Sequence, residues 1–278
     1  PGQPLVLLKI LDPVSQPVHG DLYFELHEEK QEVYVVTHVD LDAWPDGTGY
    51  IRYGFNPKKL AEYNDGARFR ADYLAAVKSY EAVRRVLDAP GSDTAHELSL
   101  IERERQLRDT MNSFTHLRPV RSGDVIKVPL LLPHSLQHGV RTIEFQTPVY
   151  ERKILAFAQQ VLTQDHWDTE EAVAMMLLES PPVANSEVLL ADRGRLVERI
   201  VDFSDFEVQR VVLGEGRALP LEAVEQYALI MVVAGEIAIG ERRWGPEQAL
   251  LLPGNWKGNL APADLGSELV FLLAMPQN

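Results

Sequence analysis

Three separate stretches of the chain carry residues of the kind that bind catalytic metals. They contain His19, the tripeptide Lys30-Gln31-Glu32, and His134 between Pro133 and Ser135. Two imidazoles and a carboxylate are ligands that catalytic zinc and non-haem iron prefer. Because side chains alternate along a strand, a lysine two residues before the glutamate would share its face. These residues predict a metal site beside a positive charge, which suits an anionic or oxygen-rich substrate.

The composition limits the function classes. The chain has 278 residues, is 45% hydrophobic and carries a formal net charge of −14. A concentrated basic surface is needed to bind nucleic acid, so nucleic acid is not predicted as a partner. The chain contains no run of about 18 apolar residues, so no membrane-spanning helix is predicted. The absence of cysteine excludes disulfides and thiolate ligands, and fits a reducing cytoplasm, so we predict a cytoplasmic protein.

The order of predicted elements places these residues in a mainly β protein. Residues 3–55 read as strands, residues 57–115 have the apolar spacing of helices, and strands return at Val120. Short helices are predicted near 153–162 and 169–178, and closely spaced strands fill 185–278. This predicts β-sandwiches or small barrels: a first domain at 1–157 with a helical insert at about 57–115, and a second at 158–278.

At this point the motifs resemble a known family. Their order is similar to that in the metal-binding cupin of the type I phosphomannose isomerases, with the helical insert in the same place. The stretches that carry the resemblance are residues 7–11, 15–19, 30–34, 122–124, 133–135, 139–146 and 150–152. The resemblance is close over residues 5–155 and looser over a second cupin at the end. It implies a bicupin fold.

The resemblance implies a ligand set. His19, Glu32 and His134 correspond to three zinc ligands, and the cofactor expected is zinc or another divalent metal. The family's fourth ligand, a glutamine two residues before the first histidine, falls on Pro17. Gln16 lies one position away and could replace it if Pro17 sits in a bulge. By contrast, His27 lies in an acidic run and is predicted to be a solvated turn residue.

The resemblance also implies an activity. Lys30 and Arg152 correspond to substrate-binding and catalytic cations, and a guanidinium can bind phosphate through two parallel hydrogen bonds. Residue types do not fix the proton-transferring base, for which Glu144 is one candidate. The expected reaction interconverts an aldose phosphate and a ketose phosphate, with mannose 6-phosphate and fructose 6-phosphate as the default pair.

No histidine follows His166, so the C-terminal cupin could not build an imidazole metal site and is predicted to be structural or to cover the pocket.

Two other functions remain open at this point. Pro17 and a shortened stretch between His19 and Glu32 favour a non-catalytic sugar-binding or regulatory cupin. Two histidines and a carboxylate are also the ligands of iron-dependent oxygenases.

Overall fold

The first β-body is built from two facing sheets. The computed structural model describes residues 5–89, 94–182, 185–222, 224–264 and 266–277. Its first nine described strands are β1 (Leu7–Leu11), β2 (Phe24–Leu26), β3 (Glu32–Val39), β4 (Gly49–Phe55), β5 (Thr115–Val120), β6 (Val125–Val128), β7 (His134–Leu136), β8 (Val140–Gln146) and β9 (Lys153–Ala156). One sheet has the order β1-β8-β3-β6 and the other the order β5-β4-β7-β2-β9, with antiparallel pairing. The space between these sheets holds the candidate site.

A helical insert covers the outer face of the five-stranded sheet. It contains α1 (Pro57–Leu60), α2 (Gly66–Asp88) and α3 (Thr94–Asn112). The Asp65 side chain caps α2 by accepting from the Ala67 amide. Phe69, Tyr73, Val77 and Tyr80 are buried at helical spacing and pack with Phe24, Leu26 and Phe55 of the sheet. The predicted helical insert is therefore confirmed.

The segment after the insert differs in part from the prediction. Residues predicted to start a helix at 153 form β9 instead, and Ile154 to Ala156 are all buried. The next helix, α4 (Thr169–Met175), is close to its predicted place. It follows Trp167. Its own residue Val173, together with Trp167 and Met176, packs into the core beneath α2. Apolar runs of four residues fit both element types, so the tertiary packing decides between them.

The C-terminal body is also β. Its described strands are β10 (Glu187–Asp192), β11 (Arg195–Asp202), β12 (Phe206–Leu213), β13 (Leu219–Leu221), β14 (Tyr227–Ala234), β15 (Ile237–Ile239), β16 (Arg242–Trp244), β17 (Ala249–Pro253), β18 (Gly258–Leu260) and β19 (Leu269–Pro276). Six of them form an antiparallel sheet in the order β10-β11-β12-β19-β14-β17. Two shorter two-stranded sheets, β13-β18 and β15-β16, accompany it.

One hydrophobic core joins the two bodies. Val33 and Val35 of β3 and Phe145 of β8 pack with Phe206 and Leu272 of the six-stranded sheet. Because strand side chains alternate, Glu32, Tyr34 and Glu144 point to the opposite face, between the two sheets of the first body. The four-stranded sheet is thus buried on both faces, and this fixes the register of its polar inner face. A domain division at residue 157 stays a prediction. Among the described helices, none combines the length and the hydropathy needed to cross a membrane.

Candidate metal centre

Adjacent strands of the five-stranded sheet bring three ligand-type side chains together. Glu25 lies in β2 and pairs with His134, the first residue of β7. His27 follows two residues after Glu25 and takes the same face, while Phe24 and Leu26 point to the helical insert. One ligand atom from each of Glu25, His27 and His134 lies within 4.8 Å of the others. Both imidazoles are almost completely buried.

The facing sheet contributes a fourth ligand-type side chain, Glu32. Its Oε2 lies 3.1 Å from His134 Nε2 and its Oε1 lies 3.4 Å from His27 Nε2. Lys30 Nζ lies 2.7 Å from Oε1, and the Tyr34 hydroxyl donates to Oε2 over 2.8 Å. Lys30 and Tyr34 lie two residues before and after Glu32, so strand alternation places all three on the inner face. We call Glu25, His27, Glu32 and His134 the four-residue cluster.

Backbone carbonyls set the orientation of both imidazoles. His27 Nδ1 lies 2.9 Å from the Glu151 carbonyl, and His134 Nδ1 lies 3.1 Å from the Leu132 carbonyl. A carbonyl only accepts, so each Nδ1 carries the proton and donates it. In the neutral ring this leaves a lone pair on each Nε2, directed into the cluster. Such outer hydrogen bonds typically fix the tautomer of metal-binding histidines.

The cluster fits a divalent metal. His27 Nε2 and Glu25 Oε2 are buried and have no hydrogen-bond partner among the described residues. His27 Nε2 faces Glu32 Oε1 at 3.4 Å and Glu25 Oε1 at 3.8 Å, so a lone pair faces oxygen acceptors with no donor between them. A buried polar atom without a partner is costly, and a cation would satisfy all three groups. Two imidazoles and two carboxylates are ligands that zinc accepts.

The buried charges shift the pKa values of the cluster. Burial acts to raise the pKa of Glu32, but the neighbouring imidazoles of His134 and His27 outweigh it and hold that pKa well below its usual range. Burial acts to lower the pKa of Lys30, but Glu32 and Glu25 outweigh it and raise that pKa. Lys30 is therefore a fixed ammonium beside the cluster at neutral pH.

A carboxyl group on the neighbouring strand behaves differently. Burial, followed by the charge of Glu32, raises the pKa of Glu144 to about 8. Lys9 Nζ lies 3.2 Å from Glu144 Oε1 and also contacts the amide oxygen of Gln146. Lys9 opposes the shift without cancelling it. Glu144 is thus a group that can exchange a proton near neutral pH, next to the cluster.

These side chains face one cavity of about 340 Å³. Glu25, Glu32 and His134 line its base, with Lys30 beside them. Its wall on the four-stranded sheet is made by residues whose side chains alternate inward from three neighbouring strands: Lys9, Tyr34, Glu144 and Gln146. The volume lies at the lower end of the range for small-molecule sites.

Arg152 closes one side of the cavity. It precedes β9, and its Nε lies 3.9 Å from Glu25 Oε2. Its guanidinium lies 4.7 Å from the centre of the Tyr23 ring and donates to the Thr163 hydroxyl over 2.9 Å. These contacts position a guanidinium at the cavity wall while leaving other donors available for an anion.

The structure brings together five of the seven side chains predicted from the sequence. Lys30, Glu32, His134, Glu144 and Arg152 all line the cavity. Two predicted ligands, Gln16 and His19, are exposed in a turn closed by a hydrogen bond from the Gly20 amide to the Gln16 carbonyl. Neither lines the cavity or contacts the cluster.

In the structure His27 and Glu25 lie beside Glu32 and His134, where His19 and Gln16 were predicted to lie. The prediction that His27 is a solvated turn residue is wrong, since the side chain is 1% exposed. The signal for this pair was in the sequence: Glu25-Leu26-His27 and Lys30-Gln31-Glu32 both place polar residues at a spacing of two. The ligand set carried forward therefore contains Glu25 and His27 in place of Gln16 and His19.

Comparison with solved structures supports the fold. Neither a protein-family model nor a curated protein sequence matches the chain. The mannose 6-phosphate isomerase from Bacillus subtilis superposes with a TM-score of 0.59 at 11% identity, over 97% of this chain and 74% of that one. A variant of phosphomannose isomerase from Salmonella typhimurium gives 0.58 at 12% identity, over 98% and 79%. A zinc-bound mannose 6-phosphate isomerase gives 0.56 at 13% identity, over 97% and 77%.

These similarities confirm the mainly β, cupin-like fold predicted from the sequence, and the division into two cupin domains stays a prediction. The chain has the mainly β, cupin-like fold of the phosphomannose isomerases, with helices in addition to several sheets. The resemblance seen in the motifs is therefore matched by structural similarity over most of the chain. At 11–13% identity this similarity shows the fold, and the chemistry must be argued from the cavity itself.

Proposed function

We propose that this protein is a divalent-metal-dependent aldose–ketose isomerase that acts on a sugar phosphate, with mannose 6-phosphate and fructose 6-phosphate as the substrate pair. One observation supports this most strongly. A cluster suited to a metal shares one cavity with fixed cations and with a carboxyl group of pKa about 8. The similarity to structures of mannose 6-phosphate isomerases supports the choice of substrate.

Glu25, His27, Glu32 and His134 would hold the metal. When bound, a metal such as zinc supplies a Lewis acid that polarises a substrate oxygen and stabilises negative charge developing on it. The chain's part is to present both Nε2 lone pairs, which the carbonyls of Glu151 and Leu132 direct inward. The geometry comes from two sheets: Glu25, Glu32 and His134 lie in strands, and His27 follows β2 directly.

Two cations would bind and orient the substrate. Lys30 keeps its proton and lies 2.7 Å from Glu32, so its ammonium can donate to a hydroxyl or to the developing enediolate oxygen of the substrate. Arg152 stands at the cavity wall and can bind the phosphate through two parallel hydrogen bonds. Holding the sugar at both ends would keep its reacting carbons near Glu144.

Glu144 would move the proton. Aldose–ketose isomerisation transfers a proton between adjacent carbons through an enediol-like intermediate. In this step a carboxylate oxygen of Glu144 takes the proton from one carbon and the protonated carboxyl returns it to the neighbouring carbon. The proton of the substrate hydroxyl passes to the former carbonyl oxygen, which completes the exchange of the two groups. A pKa of about 8 suits a group that must both accept and return a proton near neutral pH.

Isotope exchange tests this proposal. The metal-loaded protein is incubated with aldose and ketose phosphates in deuterated water, and deuterium at the second carbon is measured by mass spectrometry. We expect incorporation with mannose 6-phosphate and its loss in Glu144→Gln. Glu62→Gln is the matched control, because Glu62 is exposed and pairs with Lys59 in the insert.

The other outcomes separate the alternative functions. Binding of the sugar phosphate without exchange, with metal bound, would favour a non-catalytic sugar-binding cupin. Oxygen consumption by the iron-loaded protein would favour an oxygenase. Exchange that persists in Glu144→Gln would leave the reaction class in place and refute the assignment of the proton to Glu144.

A further inference from the structure

A second, smaller cavity lies between the helical insert and the outer face of the five-stranded sheet. Its volume is about 40 Å³. It lies on the other side of β7 from the four-residue cluster, because His134 points inward while Ser135 and Gln137 point towards the insert. The polar side chains that argue for a ligand come from the sheet and from both long helices: Arg52, Tyr73, Arg108 and Thr115.

Arg52 is a largely buried cation, and no carboxylate of the described residues forms an ion pair with it. It lies on β4 opposite Ser135, and its Nη1 donates to the Thr115 hydroxyl over 2.7 Å. Within the described part of the chain, this is the one side-chain hydrogen bond of its guanidinium, and no carboxylate forms an ion pair with it. A guanidinium has five N–H donors, and a buried charge normally has a partner.

Tyr73 adds a buried hydroxyl without a partner. Its side chain is 0% exposed and its hydroxyl has no hydrogen-bond partner among the described residues. The ring is held by Phe55 and Phe114, whose centroids lie 5.2 and 5.6 Å away. Tyr73 lines the same cavity as Arg52. Its hydroxyl is a donor held in place by aromatic packing, and no acceptor for its proton lies among the described residues.

Arg108 brings a second guanidinium to the cavity from α3. Its Nη2 lies 3.7 Å from Oε2 of Glu104, so the two groups form an ion pair that is longer than a hydrogen bond. Burial, together with the like charge of Arg108, lowers the pKa of Arg52. Asp21 lines the cavity and opposes that shift, but its Oδ1 already accepts from the His138 amide and lies 2.7 Å from His138 Nδ1. Two cations, Arg52 and Arg108, and one carboxylate, Asp21, therefore line this small space, which leaves an excess of positive charge.

We propose that this cavity binds a small oxyanion of the phosphate class between Arg52 and Arg108, with the Tyr73 hydroxyl as a further donor. A water molecule needs about 10–15 Å³ of such volume, so 40 Å³ holds an ion of a few heavy atoms and excludes a whole sugar phosphate. Guanidinium groups are the side chains best suited to oxyanions, because their forked donors match two oxygens at once. Inorganic phosphate is the ion to test.

The bound ion would link the five-stranded sheet to the helical insert. Arg52 belongs to the sheet that carries His134, and Arg108 belongs to α3 of the insert. An oxyanion held by both would fasten the insert to the outside of the β-body, directly behind the metal centre. It follows that inorganic phosphate should stabilise the folded chain by binding away from the 340 Å³ cavity.

Calorimetric titration of the zinc-loaded full chain with inorganic phosphate, at constant ionic strength in chloride, tests the proposal. We expect a phosphate site that persists in Arg152→Gln, which removes a guanidinium from the large cavity. Arg108→Gln should weaken this site about tenfold or more, as expected for the loss of a charge-assisted contact. Arg105→Gln is the matched control, because Arg105 lies on the same helix, is exposed and pairs with Glu102.

A second variant keeps the test decisive if a charge substitution impairs folding. Tyr73→Phe retains the packed ring and removes one donor, so it should weaken phosphate binding while the circular dichroism spectrum stays unchanged. The proposal is overturned if no phosphate site persists in Arg152→Gln. It is equally overturned if Arg105→Gln and Arg108→Gln weaken binding alike, or if Tyr73→Phe binds phosphate as tightly as the unmodified chain.

Discussion

Replacement of His27 by alanine should abolish tight metal binding, while replacement of His19 should leave it intact. His27 is buried, its Nδ1 donates to the Glu151 carbonyl, and its Nε2 faces Glu32 at 3.4 Å. Zinc sites with four protein ligands contribute about 10–16 kcal/mol, so an equal share for one ligand is about 3 kcal/mol. This corresponds to a loss of affinity of about 100-fold. His19 is exposed in a turn, and its replacement should change the free energy of unfolding by less than about 0.5 kcal/mol.

The loss can be read from thermal unfolding. With free zinc at 100 times the dissociation constant, binding stabilises the folded chain by about 2.7 kcal/mol. A variant that binds 100-fold more weakly retains about 0.4 kcal/mol at the same zinc concentration. The difference of about 2.3 kcal/mol corresponds to a zinc-induced rise in Tm smaller by about 5–9 °C.

The assay compares the zinc-induced change in Tm of the unmodified chain, His27→Ala and His19→Ala, each measured with zinc and with a chelator. A direct competition titration against a zinc indicator gives the affinities. The reasoning from the structure is refuted if His19→Ala reduces the zinc-induced shift as much as His27→Ala does. It is also refuted if His27→Ala keeps the full shift.

Three further outcomes are expected. In the metal-free protein the pKa of Glu144 is raised to about 8. Its contribution to stability is therefore present below pH about 4.5 and is lost as the pH rises through 8. Urea unfolding in the presence of a chelator should show the unmodified chain losing stability relative to Glu144→Gln over that pH window. In phosphate-free buffer Tyr73→Phe should leave the free energy of unfolding unchanged or raise it by about 1 kcal/mol, because it removes a buried hydroxyl that has no partner among the described residues. Equilibrium denaturation measures this change, and a clear loss of stability would contradict it. Arg152→Gln should raise KM for the sugar phosphate about 10-fold to 100-fold with zinc affinity unchanged, which steady-state kinetics and the indicator titration check together.

The sequence was sufficient to predict the part of the site that lies in long strands. Glu32 stands at the start of the apolar run 33–36, where a carboxylate without a partner would be costly, and it is buried at the centre of the cluster. Glu144 and Gln146 alternate along β8 as expected for one face. In such strands the period of two is long enough to identify the inner face before any partner strand is known.

The inner face of the short strand β2 could not be identified in the same way. The strand has three residues and lies next to the acidic pair Glu28 and Glu29, so the local pattern favours a solvated turn. Its partners are β7 and β9, more than 100 residues away in the chain. The spacing of two between Glu25 and His27 puts both on one face, but the burial of that face depends on contacts with these distant strands. The same holds for Arg52, whose environment exists only once the helical insert has packed on the sheet.

The charges around the large cavity explain how a strongly acidic protein could attract a phosphate ester. Four carboxylates meet three cations there: Glu25, Glu32, Glu144 and Glu151 against Lys9, Lys30 and Arg152. With all seven groups ionised the charges sum to −1, so a divalent metal would leave the cavity positive, and protonation of Glu144 would make it more so. Charges on the distant surface act weakly at this point, because screening in physiological salt limits their range to about 8 Å. The net charge of −14 is therefore compatible with an anionic substrate, provided that the metal is present to set the sign of the local field.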